Sequence, residues 1–192
     1  MVISTNQVKE LRERTGAGIM ECKRALEETG GNLDRAAEIL RQQGLSKAEK
    51  KVGRAAQQGV VEPYIHGGGR IGAMVELNCE TDFVARTPDF RALAHDLAMQ
   101  VAATAPRYVS PDEIPASEEA ALEREYGSRE HALEAVCLLD QKFIKDPSRT
   151  IRDIVKGEIA KLGENVIVRR FARFEVGEDL PPATEMVEGG QG

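Results

Sequence analysis

The 192-residue chain has no tryptophan, and its five phenylalanines and three tyrosines make up only 4% of it. Its core must therefore come from the Val, Ile, Leu, Ala and Met that dominate a 41% hydrophobic composition. Each large aromatic is scarce enough to follow individually. Cysteine is nearly absent too: Cys22, Cys79 and Cys137 are odd in number and far apart, with no CxxC and no ligand-spaced His/Cys cluster. This spacing suggests neither a disulfide framework nor a structural zinc site, and free thiols fit a reducing compartment. No signal peptide opens the chain and no run of ~18 apolar residues could span a bilayer, so a cytoplasmic protein without a membrane partner is expected. Basic charge is not in excess, with 26 Lys/Arg against 32 Asp/Glu for a net charge of −6. Phosphate contacts need a basic surface, so direct nucleic-acid binding is not expected.

The charge that is present is uneven. Residues 1–54 hold 11 basic and 8 acidic residues, and the remainder holds 15 and 24. The basic run Lys47, Lys50, Lys51, Arg54 is interrupted by Glu49 and reads as a solvated helix face.

Hydrophobic spacing divides the chain into four regions: a three-helix bundle over 1–45, a helical linker over 46–59, an α+β core domain over 60–176 and a disordered acidic tail over 177–192. In the bundle, Ser4 or Thr5 can cap the first helix, which stops at Thr15-Gly16-Ala17-Gly18. A second helix over Ile19–Thr29 aligns Met20, Cys22 or Lys23, and Leu26. Asn32 caps a third, with Leu33, Ala36, Ala37 and Leu40 on one face and Gly44 as its C-cap. The Ala-, Lys- and Gln-rich segment that follows reads as a semi-rigid spacer. Alternating runs over Val60–His66 and Arg70–Asn78, joined by three glycines, read as a hairpin. A helix from Pro88 to Ala103 presents Phe90, Leu93, Leu97 and Val101 as one stripe. Ser117 caps a charged helix, Gly127 interrupts it, and a second piece runs to Ala135. Leu138–Ile144 reads as a strand and Ile151–Leu162 as a helix begun by Ser148 or Thr150. Asn165–Val176 is the final strand, with Val166, Val168, Arg170 and Ala172 expected to share a face. The fold class is α+β: a small antiparallel sheet with helices packed on one side.

Catalytic patterns are weak. Gly16-Ala17-Gly18 lacks the GxxxxGK[ST] pattern and follows a helix, so it reads as a turn rather than a phosphate loop. His66, Cys79 and Asp82 lie close in sequence, but Cys79 closes an apolar strand, which favours a buried structural thiol over a nucleophile. Glu80 and Asp82 sit on a connection with no cleft to make them an acid/base pair. No cofactor or metal is expected.

One stretch stands apart: Asn78-Cys79-Glu80-Thr81-Asp82-Phe83-Val84, between a strand and the helix opened by Thr87-Pro88. Turn chemistry does not ask for phenylalanine here. Phe83 is either tucked into its own core or offered to a partner.

Three ordered blocks resemble the signatures of the elongation factor Ts family. They are Val8 to Leu26 (VKELRERTGAGIMECKRAL), Glu76 to Ala85 (ELNCETDFVA), and Gly163-Glu164-Asn165 leading into Val168-Arg169-Arg170-Phe171. The resemblance spans about residues 5 to 176. It implies a ubiquitin-associated-like N-terminal bundle, an α+β core and a non-enzymatic guanine-nucleotide exchange factor of elongation factor Tu. It further implies that Thr81, Asp82, Phe83 and Val84 approach the nucleotide and magnesium site of that partner. Thr15, Gly16, Ala17, Gly18, Ile19, Met20 and Lys23 are implied to dock the bundle on the same partner domain. The chain departs from long family members in having one core module, and Glu123–Val136 is too short for a long helical hairpin. Short forms are expected to compensate by pairing two copies. The rival reading is an adaptor whose bundle binds ubiquitin-like folds without exchange activity.

Overall fold

The computed structural model describes residues 3–179. The chain begins with three helices, α1 (Thr5–Thr15), α2 (Ile19–Glu28) and α3 (Leu33–Glu49). Ser4 is the cap of α1, in a reciprocal box with Gln7: the Gln7 amide donates to Ser4 Oγ at 3.2 Å and the Ser4 amide to Gln7 Oε1 at 3.0 Å. Asn32 caps α3 through the Arg35 amide at 3.0 Å. Leu11, Cys22, Ala25, Leu26, Ala36 and Leu40 form the bundle core, so Cys22 rather than Lys23 lies on the buried face of α2.

Helix α3 does not stop at Gly44 but continues to Glu49. The glycine has another purpose. A Cβ at Gly44 would sit 3.1 Å from Ala160 Cβ of helix α8 (Ile151–Leu162), so the missing side chain lets two helices approach closely. Ala48, further along α3, is buried in the core of the sheet module. The helical linker expected over 46–59 is therefore corrected: only its start is helical, residues 50–54 are turns and a bend, and β1 begins at Gln58. The segment is not a spacer; it packs. Lys51 Nζ donates to the Gly163 carbonyl, and Asn165 Nδ2 to the Arg54 carbonyl at 2.7 Å.

The main sheet has the order β1-β2-β5, all antiparallel, with β1 spanning Gln58–His66, β2 Ile71–Cys79 and β5 Val166–Glu175. The three-glycine turn is needed, because Gly67, Gly68 and Gly69 all have positive φ. Between β2 and β5 the register slips once: Leu77 faces Val168 but Glu76 faces Arg170, leaving Arg169 as the extra residue of a bulge. The expected alternation therefore holds only at the start of β5. Val166 and Val168 are buried, but after the bulge Phe171 and Arg173 take the core side opposite Val75 and Ala73. Arg170 and Ala172 do not share a face with Val168.

Helix α5 (Pro88–Thr104) lies on the inner face with Phe90, Leu93, Leu97 and Val101 buried, and Ile151, Val155 and Ile159 of α8 join the same core. Thr150, not Ser148, caps α8, exchanging bonds with Asp153. Between them, α6 (Ala116–Tyr126) and α7 (Arg129–Val136) pack around Leu122, Ala132, Val136 and Cys137. The cap of α6 is Pro115 rather than Ser117.

Leu138–Ile144 is not a continuous strand. It holds a 3-10 turn, Leu138–Asp140, and the two-residue β3, Lys142–Phe143, which pairs with β4, Asp146–Thr150. The reason is the buried Gln100 side chain. It donates to Lys142 O at 3.1 Å and accepts from the Ile144 amide at 2.9 Å, taking backbone groups that a strand ladder would use. Most of the acidic tail expected to be disordered lies outside the described residues.

Candidate functional site

Strand β2 ends at Cys79, and after two residues the backbone turns into a single helical turn, α4 (Asp82–Ala85). Thr81 is its cap and accepts from the Val84 amide at 3.4 Å. Val84 packs against the main core and Ala85 is buried, so the second half of the turn is anchored inward. The first half is not. Asp82 pairs with Arg86 at 2.7 Å on the surface, and Phe83 is 78% exposed. The alternative left open by the sequence is thereby decided: Phe83 is not part of its own core. Burying such a ring is worth about 1.5–3 kcal/mol, none of which the free chain collects here.

Thr81 is itself held. Its amide donates to Glu164 Oε2 at 2.9 Å and its hydroxyl to Glu164 Oε1 at 2.6 Å. One residue earlier, Glu80 Oε1 accepts from the Asn165 amide at 2.7 Å. Cys79 is buried and donates to the Thr81 carbonyl, with a sulfur–oxygen distance of 3.1 Å. Burial first, then the negative charge of Glu164, push its thiol up to about 11. It is thus protonated near neutral pH and cannot act as a nucleophile there. His66 does not meet it: its ring stacks on Tyr64 at a centroid distance of 6.0 Å.

The second group of residues forms the turn between α1 and α2. Thr15 is structural, donating its hydroxyl to the Leu11 carbonyl at 2.7 Å and accepting from the Ala17 amide at 3.3 Å. Gly16, at φ 69°, closes α1 in the left-handed region, Ala17 packs against the bundle core, and Gly18 begins α2. Ile19 and Met20 are the surface residues, 56% and 67% exposed, and Lys23 lies 3.8 Å from Glu27 on the helix flank.

Both groups rest on the C-terminal end of α8. The position a Gly16 Cβ would occupy is 3.3 Å from Lys161 Cγ, and Lys161 Nζ reaches Asp89, in the first turn of α5, at 2.9 Å. Glu164 and Asn165, just beyond the helix, hold the Glu80–Thr81 backbone. Sequence reasoning marked Gly163-Glu164-Asn165 as a motif but gave it no role. The signal was there, in an acid and an amide immediately after a helix-terminating glycine. Its partners, more than 80 residues away, were not visible. Among the described residues no group of three or more His, Cys, Asp or Glu is placed to hold a metal ion, and no helix is long and apolar enough to cross a membrane.

Comparison with known proteins agrees along nearly the whole chain. The family model described as elongation factor TS matches residues 34–126 and 118–178. Elongation factor Ts of Carboxydothermus hydrogenoformans is 51% identical over 96% of this chain and 94% of its own length. The factors of Desulfitobacterium hafniense and Moorella thermoacetica are each 49% identical, over 95% and 96% of this chain and 93% and 100% of theirs. The same three blocks that mark the sequence thus build the Thr81 turn, its clamp and the α1–α2 turn, and the chain belongs to the elongation factor Ts family of translation elongation factors.

Proposed function

We propose that this chain binds elongation factor Tu, in its GDP-bound and nucleotide-free forms, and accelerates GDP release so that GTP can replace it. The observation that carries the reading is Phe83: a large aromatic, 78% exposed, on a helical turn whose other side is anchored in the core. Such a ring is built to be buried by something else, and single aromatics in partner pockets dominate interface energy.

In this reading Asp82 and Phe83 enter the nucleotide domain of Tu near its magnesium site, with Thr81 and Val84 shaping the turn. Exchange needs only differential binding. A wedge that fits the nucleotide-free partner better than the GDP form must weaken GDP by the same factor that GDP weakens the wedge. No covalent step is involved. The bundle, residues 1–45, docks on the same partner through Ile19 and Met20, presented by the Thr15-Gly16-Ala17-Gly18 turn, with Lys23 on the flank. The module over 60–176 does the displacing. The site of action is the cytoplasm, with neither nucleic acid nor membrane as a partner.

The functional unit contains two copies of the chain. Strand β5 is an edge of the sheet, and exposed Met74 and Phe174 lie on it or beside it. Light scattering at micromolar concentration tests this, with and without Tu; a strict monomer forming a fully active one-to-one complex would refute it. The exchange reading is tested by release of fluorescent GDP from Tu. Acceleration by the parent chain supports it, and binding to Tu without acceleration would make the chain an adaptor instead.

A further inference from the structure

A one-turn helix is a poor platform for a wedge. Nucleating a helical turn is unfavourable, and most short helices depend on tertiary contacts for their existence. In α4, Val84 and Ala85 are anchored by burial, but the end that carries Asp82 and Phe83 has only the Thr81 cap. That cap is pinned from 83 residues away by both oxygens of Glu164, at 2.9 and 2.6 Å.

The pin has a defined geometry. Because the Thr81 hydroxyl spends its proton on Glu164, its lone pairs are left to accept from the Val84 amide. Next to it runs a bond in the opposite sense, from the Asn165 amide to Glu80 at 2.7 Å. Two crossed carboxylate-to-backbone contacts fix rotation as well as position. The loop supplying them is itself held, since Asn165 is 2% exposed with its Nδ2 on the Arg54 carbonyl at 2.7 Å, and Gly163 turns the backbone at φ 75°.

We propose that Glu164 is a positioning residue for nucleotide exchange. By taking both donors of Thr81 it holds the first half of α4 so that Phe83 enters the partner at a fixed angle. This rests on the reading of Phe83 as the wedge, and it adds a residue that touches neither partner nor nucleotide. Glutamine at 164 keeps the shape but turns an NH₂ toward one of the two Thr81 donors, so one bond is lost and two donors face each other.

The test is fluorescent GDP release from Tu, measured against rising concentrations of the full-length chain, which gives a maximum rate and a half-saturating concentration. Glu164→Gln should lower the maximum rate about tenfold, the usual scale for losing a charge-assisted hydrogen bond. The half-saturating concentration should stay near the parent's. Thr81→Val, which removes the hydroxyl, should do the same, and the two together should cost little more than either alone. In a Phe83→Ala background, Glu164→Gln should add nothing to the loss. A parental maximum rate for Glu164→Gln overturns the proposal, as does an undiminished effect in the Phe83→Ala background, which would mark general destabilisation. If Glu164→Gln does not fold, Thr81→Val carries the same comparisons and decides. Phe83→Ala alone separates the two levels: if it releases GDP at the parental rate, the wedge reading itself is wrong.

Discussion

The two exposed apolar sites, Ile19 with Met20 on the bundle and Phe83 on the sheet module, differ less in chemistry than in what stands behind them. Behind Ile19 and Met20 is a core of Leu11, Cys22, Ala25, Leu26, Ala36 and Leu40, in which only three side chains are as large as leucine. Such a core stabilises little by itself. Behind Phe83 is a continuous core running through the sheet, α5 and α8, plus the polar clamp from Glu164 and Asn165. A surface on a weakly supported bundle can supply affinity but transmits little force. A surface on a rigid module can displace part of its partner. The division into docking and wedging parts thus follows from unequal support.

The comparison breaks most sharply if the wedge is removed. Asp82→Ala with Phe83→Ala should cost at least about 2 kcal/mol, roughly 30-fold, in stimulated GDP release, with the melting temperature unchanged because neither side chain packs in the fold. Stopped-flow release and a thermal melt check both halves, and a fast-releasing double variant would defeat the assignment. The docking side is sharpened by Ile19→Ser with Met20→Ser. Here the loss, about tenfold by the scale of partly buried apolar contacts, should fall on the half-saturating concentration rather than on the maximum rate. The reverse pattern would exchange the roles of the two sites. The join between the regions can be strained directly. Gly44→Val puts bulk where a bare Cβ already comes within 3.1 Å of Ala160 Cβ, and overpacking of this kind costs about 1–3 kcal/mol. Hydrogen exchange should rise in α1 to α3 while α5 stays protected; equal loss in both would mean that they unfold as one unit.

The smallest effect concerns α8, which supports both sites. Burial raises the Glu158 carboxyl above its ordinary value, and its Oε2 has no hydrogen-bond partner among the described residues. A carboxyl with a raised folded-state value opposes folding when charged, so its penalty is full above that value and vanishes as pH falls through the ordinary glutamate range. Glu158→Gln should therefore raise the melting temperature by a few degrees at pH 7 and lose that advantage toward pH 4. A melting temperature that falls at pH 7 would show that the Lys161 contact outweighs the burial cost.

Much of this could be read before the structure. The α5 stripe, the glycine hairpin and the Thr81-to-Val84 turn are local: periodicity, turn chemistry and one misplaced aromatic announce them. What escaped the sequence was set by partners distant along the chain. Gly44 looks like a helix stop until Ala160 lies against it. Leu138–Ile144 has strand composition, but its backbone is claimed by Gln100, some 40 residues earlier. Among the site residues, the exposure of Ile19 and Met20 follows from their place at the start of α2. The role of Glu164 depends on a contact to Thr81 that no spacing encodes.

The bulge at Arg169 bears on which genetic changes strand β5 can tolerate. It shifts the strand's phase by one residue, so that Phe171 packs inside while Phe174 faces out opposite Gly72. Substituting Arg169 leaves that count intact. Deleting it would straighten the ladder and carry every residue after it to the opposite side, sending Phe171 into solvent and Phe174 into the core. In this strand, then, an in-frame loss of one codon is a far more drastic event than almost any missense change, and alignments of the family should vary in letter here but not in length.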